Sequence, residues 1–591
     1  MDQTELTTIP STMSPVTVSF SWYDYVIFSA MLAISVMIGL YFGCFGTKQS
    51  SASEYLMGGK KMHVFPIVMS LVASHISGIT LLGVPADVYK YGAGYWLCVL
   101  AFMIVAAVSI LIYLPVLFNA EVTSVYEYLE KRFDQKTRVF SSFLFAVSQV
   151  LFLPIVVYIP ALAFSAATGI NLHLVTPVIC GVCIFYTTIG GLKAVVWTDT
   201  LQFTVTLGAA GTVLVLGVKA TGGLGNVWSK AVEGNRLDIF DLDLDVTRSD
   251  NFWAPLVGLT FLWIAWTNTN QGCVQKLLSV PTLKDAKFAT FYYGLGMGVV
   301  KTASVMTGLI IYARYSDCDP FLANQIKRKD QLLPYYVLDV AGNIPGLSGL
   351  FIAGVFSAGL STLSAHLNCL SGTIYEDFVS KCVSRDITEK TKSNYLKLIV
   401  VICGVVCTVL VFIFEHLGGI LPLAIGFGGM TAGPMLGMFT MGILFRRANC
   451  KGAFYGGVVG LALITCLVMP TKYLQSRGMI HAPEKPVSVE GCAFNFTQHS
   501  NSTTEDNYAL AIFKISFYYY TLIGFVLTML VGLIVSYCTE EDQKIVDEEL
   551  LSPMIRHTDL DYKNGVITEY NTVEKALHLV TDNSAKGDSA L

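Results

Sequence analysis

Apolar residues fill long blocks of this chain, and polar residues gather in the short stretches between the blocks. A helix needs about 20 apolar residues to cross the hydrocarbon core of a bilayer. Thirteen segments have spanning character: 25–45, 64–83, 94–118, 140–167, 174–189, 201–219, 252–273, 290–312, 347–371, 396–414, 418–445, 452–469 and 512–537. The pattern predicts an all-α polytopic membrane protein with 13 transmembrane helices and no room for a folded soluble domain.

Composition agrees, with 53% hydrophobic and 14% charged residues against about 25% charged in soluble domains. The leader, 1–21, has no basic stretch and no small-residue cleavage site, so the first segment is expected to stay as a span. Basic residues concentrate in the odd-numbered connections: Lys48, Lys60 and Lys61; Lys131, Arg132, Lys136 and Arg138; Lys276, Lys284 and Lys287; Lys381, Arg385, Lys390 and Lys392; Arg446, Arg447 and Lys451. The positive-inside rule turns these toward the cytoplasm, with the N-terminus outside and the C-terminus inside. The sequons at Asn495 and Asn501 then fall in an outer loop, as glycosylation requires. Cys318 and Cys492 also fall in outer loops and are candidates for a disulfide. The net charge of −4 is spread over loops and tail, which leaves no basic patch for nucleic acid. The tail, 539–591, is polar and expected to be disordered, and its end, Ser589-Ala590-Leu591, fits the free-carboxylate docking mode of PDZ domains.

Polar positions inside the apolar blocks carry the candidate chemistry. Ser357, Ser361, Ser364 and Asn368 follow the i, i+4, i+7, i+11 spacing of one helix face, with Thr362 beside them. Hydroxyls of this kind either bond back to their own helix or line a site. The second segment carries Ser74, His75, Ser77, Gly78 and Thr80 near its middle, and the seventh carries Trp263, Asn268, Asn270 and Gln271. Both read as helices interrupted beside a cavity, where unwound backbone offers carbonyls to a cation and amides to a solute. Of these, Ser74, His75, Ser77, Thr80, Trp263, Asn268 and Asn270 are the candidate substrate contacts. In the eleventh segment Gly426, Gly428, Gly429, Gly433 and Gly437 fit close helix packing or a flexing gate. No His is followed by Glu, and neither a Gly-x-Ser-x-Gly elbow nor a phosphate loop is present, so enzymatic chemistry and ATP-driven pumping are excluded as readings and an ion gradient is left as the energy source.

Beyond the fifth segment the chain reads Thr188-Ile-Gly-Gly-Leu-Lys-Ala-Val-Val-Trp-Thr-Asp-Thr-Leu-Gln202. With Glu54-Tyr-Leu-Met-Gly-Gly59, Tyr126-Glu-Tyr-Leu-Glu-Lys-Arg-Phe133, Asp330-Gln-Leu-Leu-Pro334 and the run from Gly346 to Thr362, it resembles the sodium/solute symporter family. Gly83-Val-Pro-Ala-Asp-Val-Tyr89 and Cys318-Asp-Pro320 bring it nearest the animal multivitamin, monocarboxylate and iodide carriers. The likeness runs from Trp22 to Tyr537. It implies a LeuT-like ten-helix core of two inverted repeats over 64–445, an extra helix over 22–46, and two more over 452–538 with an outer loop at 470–511. It also implies a sodium site formed by the carbonyls of Ala73, Ile76 and Ala358 and the hydroxyls of Ser361 and Thr362, with Asp199 near an inner gate. His75 and Thr80 stand where the family leads one to expect an aromatic and, in iodide carriers, a glutamine.

The function implied is sodium-coupled import of a small organic anion, a monocarboxylate or a vitamin such as biotin or pantothenate, across the plasma membrane by alternating access, with no organic cofactor. Carriage of a neutral solute or a halide, or a sensor or channel-like role without accumulation, are the alternatives.

Overall fold

In hydrocarbon a backbone N–H or C=O finds a partner only inside its own helix, so each apolar run closes on itself and polar residues mark where it starts. Asp134, Asn171, Thr282 and Asn449 each accept a hydrogen bond from a backbone N–H of the helix that follows, the usual N-cap arrangement. The computed structural model describes residues 20–41, 62–122, 124–326, 328, 331–342, 344–383, 388–414, 420–477, 479–480, 484–492, 511–539 and 546–556. The sequons at Asn495 and Asn501, the terminal Ser589-Ala590-Leu591, and Lys48, Lys60, Lys61 and Arg385 lie outside these residues.

The principal helices in chain order are α1 (Trp22–Leu40), α2 (Val64–His75), α3 (Ile79–Tyr91), α4 (Ala93–Asn119), α5 (Gln135–Thr168), α6 (Leu172–Ala220), α7 (Trp253–Asn268), α8 (Gln271–Leu277), α9 (Leu283–Tyr315), α10 (Leu347–Cys382), α11 (Glu389–Phe414), α12 (Ile420–Leu444), α13 (Cys450–Ser476) and α14 (Phe517–Cys538). Among the described residues 11 helical stretches are long and apolar enough to span a bilayer, and α2 with α3 makes a twelfth, bent by 59° at the break. The chain is therefore an all-helical polytopic membrane protein.

Helix α10 forms the centre of the bundle and is buried along almost its whole length, against α1, α2, α5, α6 and α11. Helix α12 is likewise buried, and its glycines serve packing: a Cβ on Gly433 would lie 2.6 Å from the Thr521 carbonyl oxygen of α14.

Four features bear on the expectations above. The second predicted span is interrupted as its polar middle led one to expect, and Gly78 at the break faces α5 so closely that a Cβ there would lie 2.6 Å from Ile159 Cγ2. The connection expected over 190–200 is helical, and α6 bends sharply within it. Tyr186 and Thr206 of α6 donate to the carbonyls of Leu360 and Gly354 on α10. Those acceptors are about 9 Å apart along their helix, whereas a straight α6 would separate the donors by about 30 Å. Its halves, Leu172–Gly190 and Ala194–Ala220, are each long enough to span. Third, Lys276, counted with a cytoplasmic loop, lies in α8 and is only 3% exposed; three hydroxyl and carbonyl oxygens and a carboxylate surround it.

The fourth feature, a departure, is in the tail. Residues 546–556 pack against the C-terminal end of α12: Leu551 and Ser552 are fully buried, the Ser552 N–H donates to the Ile443 carbonyl, the Tyr128 hydroxyl donates to the Leu550 carbonyl, and Arg446 forms a forked ion pair with Glu548. At the opposite face Cys318 and Cys492 are joined by a disulfide, and buried Arg236 ties 484–492 to the end of α3 by donating to the carbonyls of Tyr89 and Pro486.

Candidate functional site

The break between α2 and α3 sets out the site. Ile76 is extended (φ −98°, ψ 95°), so the turn of helix that would consume the nearby carbonyls is missing. Among the described residues the Ile76 carbonyl accepts no hydrogen bond. Facing it on α10, the Ser361 hydroxyl lies 3.2 Å from the Ala73 carbonyl oxygen and 3.1 Å from that of Ala358, and the Thr362 hydroxyl lies 3.0 Å from the Ala358 carbonyl oxygen. Four of the five groups expected to hold sodium thus meet in one buried cluster across two helices. Both hydroxyls now donate to carbonyls; rotation would turn lone pairs inward instead. Uncharged hard oxygens of this kind suit an alkali cation. Among the described residues no group of three or more His, Cys, Asp or Glu is placed to hold a metal ion.

On the other side of the break lies a cavity of about 520 Å³, lined by Ser74, His75, Ser77 and Thr80 from the broken helix, Trp263 and Trp266 from α7, Tyr95, Phe152, Lys301, Thr362 and His366, and by Leu421, Ala424 and Ile425 of α12. Five of the seven proposed substrate contacts face it. His75 bonds through Nδ1 to the Leu71 carbonyl at 2.8 Å, and its ring lies 5.8 Å from Trp263 and 5.4 Å from Tyr293. A second cavity, about 400 Å³, adjoins the first through Phe152, Trp266 and His366, and takes in Gln149, Thr269, Asn270 and Thr431. Asn270 faces this second space and also caps α8 by accepting from the Gly272 N–H. Asn268 faces neither: its amide donates to the Ser109 hydroxyl and the Ile264 carbonyl, a packing role.

Asp199 lies just beyond this oxygen cluster, fully buried and ion-paired with Lys276 at 3.4 Å. Its Oδ2 also accepts from the Ser70 hydroxyl at 2.8 Å, and Lys276 donates in turn to Ser70 and Ser74. Asp199 thus connects α6 to α8 and to the helix that carries the break. A second ion-paired cluster closes on Asp377, which accepts from Arg138 at 2.7 Å and from Ser142.

Sequence reasoning missed Lys301, His366 and the position of Lys276. The signal for the first two was present, because an ionisable residue inside an apolar span is rare and marks a functional pathway. Lys301 is the only charged residue in the segment 290–312, and His366 lies in the hydroxyl-bearing segment.

A bundle of membrane-spanning helices with one helix broken at mid-length, oxygens gathered at the break and a polar-walled cavity beside it has the build of a secondary transporter. Its sequence matches the sodium:solute symporter family over residues 55–460. The chain belongs to that family, whose members are transporters and not enzymes, with sodium as the coupling ion. It is 38% identical over 539 residues to sodium-coupled monocarboxylate transporter 2 of Danio rerio, covering 90% of this chain and 85% of the relative. It is 34% identical to sodium-coupled monocarboxylate transporter 1 of Homo sapiens, with coverage of 96% and 94%. It is also 34% identical to a putative sodium-dependent multivitamin transporter of Drosophila melanogaster, with coverage of 87% and 86%. Among solved structures, a Na+-coupled sialic acid symporter in a substrate-bound outward-open state superposes with a TM-score of 0.72 at 22% identity, over 88% of this chain and 99% of that one. The nucleobase-cation symporter Mhp1, in a closed conformation with bromovinylhydantoin bound, gives 0.51 at 14% identity, over 84% and 98%. At such identities the likeness is one of fold.

Proposed function

We propose that this chain is a plasma-membrane symporter that uses inward sodium flow to import a small organic anion. The observation that carries the reading is that the sodium cluster and the solute cavity share one unwound segment: Ala73 and Ile76 offer carbonyls on one side, and Ser74, His75, Ser77 and Thr80 line the cavity on the other. Thr362 borders both. A cation held there ties α2 to α10, and a solute bound beside it stabilises the same arrangement of the break. Each ligand therefore favours the other's binding state, which is the thermodynamic content of coupling. The relatives' names, monocarboxylate and multivitamin transporters, support an anionic solute.

In this reading α7 and α8 together form a thirteenth span, interrupted at Thr269 and Asn270 as the second is at Ile76 and Ser77. Two interruptions five spans apart support inverted repeats within a core over 64–445, flanked by the first helix and by two after it. The N-terminus lies outside, Asn495 and Asn501 carry glycans in the outer loop, and the C-terminal tail, with Ser589-Ala590-Leu591 offered to a PDZ domain, lies in the cytoplasm. The Lys276–Asp199 pair stands at the inner side of the sodium cluster as a gate element, and the second cavity lies on the way out.

Labelled uptake into proteoliposomes from a panel of monocarboxylates, vitamins, neutral solutes and halides, with sodium or choline outside, tests the proposal. Concentrative, sodium-dependent uptake of monocarboxylates or vitamins is expected. Sodium-dependent uptake of neutral solutes or halides alone would replace the anion, and sodium binding without accumulation would leave a sensor or channel-like protein.

A further inference from the structure

We propose that Lys301 is the anchor for the carboxylate of the transported anion, an inference that rests on the symporter reading and names the group by which the same cavity selects its solute. Lys301 lies near the middle of α9, in a segment otherwise free of charge. Its side chain is 3% exposed and lines the cavity beside the helix break. Nζ donates to the Thr80 hydroxyl at 2.8 Å and to the Tyr95 hydroxyl at 3.3 Å, and it sits 5.5 Å from the Tyr95 ring centroid and 5.6 Å from that of Trp263.

What those partners lack is charge. An ammonium has three protons to donate; two meet neutral hydroxyls, and among the described residues no carboxylate is ion-paired with it. Lys276 makes the contrast within the same molecule: equally buried, it is matched by Asp199. A buried charge is retained only where something compensates it. For Lys276 the compensation is part of the protein, whereas Lys301 faces a space large enough for a small solute. A carboxylate entering that space would complete the lysine's coordination and form a charge-assisted hydrogen bond. It would also lie against Thr80 of α3, so the anion would press on the same broken helix whose other side offers carbonyls to sodium. The aromatic rings of Tyr95, Trp263 and Phe152 leave an apolar wall for the rest of the solute. Discrimination follows directly: the site rewards a carboxylate over its uncharged amide of the same shape.

The test uses the full-length chain in proteoliposomes and two acid–amide pairs as competitors, propionate with propionamide and benzoate with benzamide. A sodium-induced shift in thermal stability of the purified protein is read in parallel. The acids are expected to compete for sodium-driven uptake and the amides to fail. K301Q and K301M should raise the KM for the acids about 10- to 100-fold, the range for losing a hydrogen bond to a charged group, and K301R should restore most of it. All three should keep the sodium-induced shift, which reports the folded sodium cluster. Equal competition by acid and amide in the unmodified chain, or an unchanged KM in K301Q or K301M, would overturn the anchor while leaving sodium-coupled transport standing. Absence of both sodium-driven uptake and the sodium-induced shift in the unmodified chain would instead remove the symporter reading itself.

Discussion

The hydroxyls of α10 show how one helix face divides its labour. Ser361 reaches across to the Ala73 carbonyl of α2 and Thr362, though it bonds back to the Ala358 carbonyl, borders the cavity, whereas Ser364 bonds back to the Ser361 carbonyl and, among the described residues, the buried Ser357 hydroxyl has no partner. Replacing Ser361 and Thr362 together with Ala should raise the sodium concentration for half-maximal uptake about tenfold or more, since each removes an oxygen from the proposed hard-cation site. Unchanged sodium activation in that double variant would remove the assignment. Lys276 and Asp199 give a second prediction. Removing one partner of a buried ion pair costs about 3–5 kcal/mol, while exchanging both for apolar residues is far milder. K276M should therefore lower thermal stability strongly and the K276M/D199L pair should recover much of the loss; additive losses would mean that the two do not act as a pair.

Among the elements, the break between α2 and α3 depends on what it leans against. Gly78 meets Ile159 of α5 with no room for a side chain, so α5 supports the unwound turn from behind. G78V should destabilise the protein by about 1–3 kcal/mol through overpacking and displace the neighbouring Ile76 carbonyl. Thermal unfolding should show the first effect and a weaker sodium activation of uptake the second. A G78V protein with normal sodium activation would separate the packing of the break from its ion-binding role. The break itself could be read from sequence, because hydroxyls, His75 and Gly78 crowd the middle of an apolar run. The reversal within α6 was legible too, as a connection between two spans; that the connection is itself helical was not, because the hydrogen bonds that hold both halves against α10 join residues far apart in the chain.

For the molecule as a whole, the two faces are secured differently. One has the Cys318–Cys492 disulfide and Arg236; the other has the tail segment 546–556, held to Arg446 and to Ile443 at the end of α12 and to Tyr128. If that segment restrains the C-terminal end of α12, E548R should detach it and the charge-swapped R446E/E548R pair should restore it. Protease susceptibility of the tail would report the detachment, and the initial uptake rate its consequence. A tail equally protected in E548R would show that the ion pair does not hold it.

Read by itself, the sequence determined the helical membrane class, most of the span positions, the interrupted second helix and the hydroxyl face of α10. All of these depend on periodicity and composition within a short window, where the bilayer imposes the rule. Tertiary structure decided which charges meet. Lys301 and Thr80 are 221 positions apart and Lys276 and Asp199 are 77 apart, so no local pattern marks one lysine as paired and the other as facing a cavity. That difference comes from the packing of α9 and α8 around the broken helix, because the cost of a buried charge is settled by whatever the fold brings beside it.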